Sequence, residues 1–293
     1  MYRRDFIRSS ISSAILLQFP IVRTSHLKKK DRIGITSVVF RNRFASTCPR
    51  NMELKDELTL NSIPEYFVDR FDIHNVELWA RHFESKDPNY LRDLKAQLNK
   101  HHCKLIDIQA EGVHDLSDTD QESREKAIKE TMEWIDVCSL LQSEFIRIRS
   151  MKKSYDIARE SLRKINSYAK SKGIKVLIEN HFDLFSDPKK HAQIYKDIDG
   201  IGLLADFGNY PKGTDRLAAL LEIAPYTKLV SAKTQDFDAF GKHLSYDFGQ
   251  CIDLFERSNY QGIYSIEQWG KPDPQYDYEA IVDHMIDQIV DHI

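Results

Sequence analysis

Residues 176–209 read VLIENHFDLFSDPKKHAQIYKDIDGIGLLADFGN, and the fold follows from this stretch. It opens on an apolar run that stops at Glu179. It then passes through a helical pattern over residues 189–198 and closes on a second apolar run that stops at Asp206. Short apolar runs bounded by polar residues read as buried strands, and apolar positions three and four apart read as one face of a helix. A strand, a helix and a second strand within roughly 30 residues form a unit whose two strands run parallel.

Outward from it the unit recurs. Further apolar runs occupy residues 33–40, 76–79, 105–109, 145–149, 228–232 and 263–267, which brings the strand count to eight. Helical patterns over residues 90–101, 121–141, 155–172, 214–223, 247–258 and 278–293 separate them, and a less marked one over 63–71 follows the first run. Such alternation implies a doubly wound sheet or a closed barrel. Eight units, no GxGxxG after the first strand, and polar residues at the strand ends favour a single (β/α)8 TIM barrel, whose active sites sit at the C-terminal ends of the strands. No change of composition marks a second domain, so residues 31–293 are predicted to form one barrel. The stretch 41–61 is too long for a tight turn and is expected to form a lid or wall over the site.

The first residues differ from the rest. Arg3 and Arg4 precede a short, weakly apolar run from Ser9 to Leu17, as in a twin-arginine export signal. Residues 1–27 are therefore expected to be a signal segment and the protein to be exported, to the periplasm. The run falls short of the ~20 apolar residues of a membrane span. A net charge of −3 with mixed signs argues against a nucleic-acid partner. Cys48, Cys103, Cys138 and Cys251 are far apart with no C-x-x-C spacing, which excludes a disulfide framework or a cysteine zinc site. Nothing speaks against a homo-oligomer.

The chemistry gathers at three strand ends, Glu179, Asp206 and Glu267, spaced by whole strand–helix units so that all three face one barrel mouth. Three carboxylates crowded into a partly dry cavity need a cation, or must take up protons. Hard oxygen donors suit Mg²⁺ or Mn²⁺; the competing expectation is that lysine or arginine neutralises each carboxylate.

The motifs LIENH (177–181), LADFGN (204–209), VSAK (230–233) and YSIEQ (264–268) are similar to those of the xylose-isomerase-like superfamily of sugar isomerases and epimerases. The resemblance runs from about Asp31 to the C-terminus and is most specific from Glu179 to Glu267. It implies a divalent metal (Mn, Mg, Co or Zn) held by Glu179, Asp206 and Glu267, together with a histidine on strand 7. Ser231 stands where that histidine is expected, two residues before Lys233, so His181, Gln235, Asp236, His243 or water would have to complete the set.

Lys233 is placed just past strand 7 as an oxyanion stabiliser, and His181 as a hydroxyl donor or proton relay. Trp79, Gln109, Glu111, Arg149 and Trp269, at or beyond strand ends, are candidate substrate contacts, with Lys271 beside Trp269. Glu77, Asp107 and Arg147 lie deeper and are expected to form ion pairs inside the barrel. The expected function is a metal-dependent sugar isomerase or epimerase that removes a proton next to a carbonyl, with Glu179 and Glu267 as base and acid. One alternative is a dehydratase, or a lyase or hydrolase of 3-keto-glycosides, using the same enediolate. Another is a barrel that binds carbohydrate without turnover.

Overall fold

Parallel pairing joins β1 (Ile33–Thr36), β2 (Asn75–Trp79), β3 (Lys104–Gln109), β4 (Phe145–Ile148), β5 (Lys175–Glu179), β6 (Gly202–Asp206), β7 (Thr227–Thr234) and β8 (Ile263–Gln268) in sequence order, and β8 closes onto β1. The barrel is a computed structural model that describes residues 29–111, 114–149, 151–237, 243–270 and 277–293. The expected export segment and Lys271 lie outside the described residues. Among the described residues no helix is long and apolar enough to cross a membrane.

The helices that follow the strands are α1 (Ile63–Phe71), α2 (Pro88–Lys100), α3 (Gln121–Leu141), α4 (Tyr155–Ser171), α5 (Pro188–Asp197), α6 (Arg216–Ile223), α7 (Phe248–Arg257) and α8 (Tyr278–His292). From α2 onward each begins at a side-chain cap: Asp87, Asp120, Ser154, Asp187, Asp215, Asp247 and Asp277 accept a backbone amide of the first turn. Such a cap satisfies an otherwise orphaned N–H and stops the helix from extending backwards. The buried faces follow helical spacing. In α7, Phe248, Cys251, Ile252 and Phe255 are buried, and Phe248 and Phe255 meet Phe207 with ring centroids 6.0 and 5.8 Å apart.

Two layers fill the barrel. A small apolar cluster of Ile106, Phe145, Leu177, Leu204 and Leu229, with Ile263 against it, is separate from the main core. Strand side chains alternate in direction, so the residues two steps further along share that inward face. On five of the six strands they are Arg147, Glu179, Asp206, Ser231 and Ser265, with Lys233 and Glu267 two steps beyond the last pair. On β3, whose register with β2 shifts at Ile106, Ile108 packs in the main core instead. The interior thus changes from apolar to charged on approaching the C-terminal ends of the strands.

Two boundaries differ from expectation. β1 stops at Thr36, whose hydroxyl accepts the Val38 amide and turns the chain into a 3-10 segment over Ser37–Arg43. Lys233 lies within β7, not past it. The stretch 41–61 packs as a wall. Arg41 donates to the carbonyls of Gln268 (2.8 Å) and Gly270 (2.7 Å), Phe44 stacks on His82 at 3.7 Å, and Leu58 and Leu60 are buried. The four cysteines are free thiols.

Two buried histidines make the fold acid-sensitive. Burial lowers His191 to about 4 and, with the Arg41 charge, His82 to about 3. The unfolded chain binds protons at these groups from about pH 6.5 downward. Stability is therefore complete above that value and falls with acidification until the folded values are reached. The expected loss is roughly 1.4 kcal/mol per pH unit for each histidine. Urea unfolding at pH 7, 6 and 5 measures it. In His191→Gln, which can still donate to the Ile178 carbonyl, the slope should be shallower by one histidine. An unchanged slope would remove His191 from the explanation.

Candidate active site

A cavity of about 350 Å³ opens at the C-terminal end of the barrel. The expected catalytic and substrate-contact residues line it (Glu179, Glu267, Lys233, His181, Trp79, Gln109, Glu111, Arg149 and Trp269), with Arg147 and Gln235 beside them. Asp206 is fully buried and is not among the lining residues.

The floor is organised by Arg147, which is 1% exposed. Its guanidinium lies 2.5 Å from Glu77, 3.3 Å from Glu179, 3.3 Å from Glu267 and 3.5 Å from Asp107. The expected ion pairs of Glu77, Asp107 and Arg147 are therefore present, and they extend to the two strand-end glutamates. Lys233 is the second cation. Its ammonium lies 2.8 Å from Glu267 Oε1 and 3.6 Å from Asp206 Oδ2, and donates to Asn209 Oδ1 at 3.0 Å.

These contacts divide the acids into two groups. Burial opposes the charged form of Glu179, but Arg147 and the His181 contact outweigh it and hold the carboxyl well below its ordinary value. Burial likewise opposes ionised Glu267, but Lys233 and Arg147 bring it down to about 2. Asp206 goes the other way: burial, and then the neighbouring Glu267 and Glu179 charges, raise it to about 7 against the pull of Lys233. Burial raises Glu77, and burial with the Glu77 charge raises Asp107 further. Two firmly ionised glutamates thus face two permanent cations. Lys233 itself is pushed up, because Asp206 and Glu267 overcome its burial. It stays an ammonium donor and is not a neutral amine nucleophile.

The rim is tied together by polar contacts. Arg149 donates to His181 Nε2 at 2.6 Å. The His181 Nδ1 lies 3.1 Å from Glu179 Oε1 and 2.9 Å from the Asn209 side-chain nitrogen. Glu111 accepts from Trp79 Nε1 at 2.8 Å and from both Arg149 and Arg81. Trp269 is 44% exposed, edge-on to Trp79 with centroids 5.8 Å apart and under the Arg41 guanidinium at 4.7 Å.

Several expected roles change. Gln109 lines the cavity, and its side-chain nitrogen also donates to Glu77 (2.5 Å) and Thr36 (2.9 Å), which ties it to the interior network. His243 sits 3.0 Å from the Gln235 amide and 3.1 Å from the Tyr246 carbonyl, outside the carboxylate cluster. Asn209 was not singled out, yet it bridges the site by donating to Glu179 Oε1 at 2.8 Å while accepting from Lys233. Its signal was the DFGN turn, in which Asp206 Oδ1 accepts the amides of Gly208 (2.7 Å) and Asn209 (3.0 Å).

The expected divalent metal does not fit this donor set. Glu267 Oε1 is engaged by Lys233. Its Oε2 lies within 3.4 Å of Arg147, Ser231 and Gln109. Glu179 Oε1 and Asp206 Oδ1 are also engaged, and only Glu179 Oε2 and Asp206 Oδ2 are buried without a hydrogen-bond partner. No imidazole joins them: Ser231 occupies the strand-7 place, and both ring nitrogens of His181 are engaged, Nε2 by Arg149 and Nδ1 by Glu179 and Asn209. Among the described residues no group of three or more histidine, cysteine or acidic side chains is arranged to hold a metal ion.

The family model described as xylose isomerase-like TIM barrel matches residues 68–288. No curated protein sequence matches the chain significantly. Among solved structures, a D-tagatose 3-epimerase-like protein superposes with a TM-score of 0.68 at 16% identity, over 89% of this chain and 97% of that one. A 3-keto-D-glucoside 4-epimerase from E. coli gives 0.61 at 15% identity, over 87% and 98%. A xylose isomerase-like TIM barrel protein from Mycobacterium smegmatis, in complex with magnesium, gives 0.59 at 17% identity, over 89% and 97%. At these identities the likeness establishes the fold. The match of the family model to most of the sequence, on a closed eight-stranded barrel with charged strand ends, places this chain in the xylose isomerase-like TIM barrel family.

Proposed function

We propose that the protein is a sugar epimerase or isomerase that removes a proton from carbon next to a carbonyl group. The observation that carries this reading is the floor of the cavity, where two ionised glutamates and a lysine ammonium face the same enclosed space. Its volume lies within the ~300–1,000 Å³ of small-molecule sites. A ketose whose carbonyl oxygen accepts from Lys233 Nζ takes that donor away from Glu267. The carboxylate then becomes more basic beside the carbon that must lose a proton. As the C–H bond breaks, its electron pair forms the C=C bond of an enediolate, and the oxygen charge develops against the ammonium. Glu179, on the other side of Arg147, is ionised at rest, so it returns a proton only after taking one from water that reaches the open cavity. Glu267 gives its own proton up to water to close the cycle. Delivery to the opposite face gives an epimer, and delivery to the neighbouring carbon gives an isomer.

The rim favours an uncharged sugar. Arg81 and Arg149 are both bound to Glu111, which leaves less positive charge for a phosphate. An exported protein would likewise meet free sugars and glycosides. A second reading, cleavage of a 3-keto-glycoside through the same enediolate, is favoured by an adjoining open cavity of about 680 Å³. The two cavities share Trp79, Arg81, Gln235 and Trp269, which gives a second sugar unit an aromatic wall.

The test is incubation in D2O with a panel of ketoses and 3-keto-glycosides, followed by NMR. Deuterium entering next to the carbonyl is the expected result, and the products separate epimer, isomer and cleaved glycoside. Binding of a sugar with no exchange on any member would leave a carbohydrate-binding barrel without turnover.

A further inference from the structure

We infer that the Lys233 ammonium stands in the place of a divalent cation, so that this barrel works without a bound metal. The inference rests on the enolisation reading for its catalytic meaning, but its structural content can be measured separately.

Three observations converge. First, Lys233 lies inside the carboxylate cluster that a metal would occupy, 2.8 Å from Glu267 and 3.6 Å from Asp206, and it also lines the cavity. An ammonium has three hydrogens. Two have close acceptors in Glu267 Oε1 and Asn209 Oδ1, Asp206 is met only at longer reach, and a substrate oxygen competes with Glu267 for its hydrogen. Second, the surroundings are shaped to the lysine stem. Gly208 passes so close that a Cβ there would lie 3.0 Å from Lys233 Cδ and 3.2 Å from its Cγ. Third, Ser231, two residues earlier on the same strand face, offers only a hydroxyl, and this is turned to Glu267 Oε2 at 3.3 Å. A divalent ion entering here would meet two fixed positive charges, Arg147 and Lys233, without an imidazole to hold it.

The step balances without a cofactor. A carboxylate accepts the proton, the C–H electron pair moves into the enediolate, and the oxyanion is held by the Nζ–H of Lys233. Reprotonation restores the carboxylate, so nothing is oxidised or reduced.

The test is a titration of the full chain with Mn²⁺, read by the electron paramagnetic resonance signal of free Mn²⁺. It is paired with elemental analysis of the protein as purified. Wild type is expected to leave the signal of one equivalent of Mn²⁺ free and to contain no stoichiometric divalent metal. The double variant Ser231→His with Lys233→Met removes the ammonium and supplies an imidazole. It is expected to capture one Mn²⁺ and to melt at a higher temperature in its presence. Tight uptake of one Mn²⁺ by wild type overturns the inference, whatever the variant does. So does loss of deuterium exchange on chelation that Mn²⁺ then restores. Deuterium exchange that persists in chelator supports it. Absence of exchange on every sugar, with Mn²⁺ left free, counts against the enolisation reading and leaves the metal-free cluster standing.

Discussion

Arg147→Met is expected to lower the unfolding free energy by roughly 3–5 kcal/mol, the usual cost of removing one partner from a buried ion pair. For a domain of this size that corresponds to a fall in Tm of about 10 °C. The guanidinium touches Glu77, Asp107, Glu179 and Glu267 while almost wholly buried, so its loss leaves several acids facing one another in a dry interior. The deficit should depend on pH. In wild type Glu179 lies below its unfolded value, so it adds stability above about pH 4.3 and loses it as the pH falls through the folded value. Without Arg147 burial dominates and the folded value rises above the unfolded one. Ionised Glu179 then costs stability at neutral pH, and protonation relieves the cost. The wild-type and variant curves should therefore converge from pH 7 towards pH 5 in urea unfolding. A deficit of equal size at both values would mean that lost packing, and not uncompensated charge, explains the change.

Glu267→Gln and Glu179→Gln are each expected to slow product formation by roughly 10²–10⁴-fold, the range that a positioned acid or base contributes. That is about 3–5 kcal/mol of barrier. The amide keeps the volume of the carboxylate and an oxygen for the neighbouring donor, so binding should change much less than turnover. Deuterium exchange separates the roles. The variant that loses exchange of the substrate's own proton lacks the base. The variant that still exchanges it but forms no product lacks the returning acid. Wild-type exchange and turnover in both variants would dismiss the pair from the chemistry. Neither glutamate acts alone: Arg147 spans both, and Lys233 holds Glu267 until a substrate oxygen competes for it.

Much of this molecule was legible in its sequence because the relevant rules are local. Eight apolar runs at strand–helix spacing implied eight parallel strands, and closure into a barrel followed. Glu179, Asp206 and Glu267 end strands spaced by whole strand–helix units, and that spacing puts them at one mouth. Glu77, Asp107 and Arg147 sit earlier on their strands, and that depth puts them in the interior. What the sequence did not determine is which charges meet. Arg147 and Glu267 are 120 residues apart, and Lys233 and Glu267 are on neighbouring strands whose register alone brings them to 2.8 Å. The same strand ends spell a metal site or a set of ion pairs equally well, because spacing records direction and not distance. Only the closed barrel, with its stagger and its buried interior, decides between them. There a charge takes the nearest countercharge, since leaving it unpaired costs several kcal/mol. In this chain the nearest countercharges are Arg147 and Lys233, and that choice belongs to the tertiary structure.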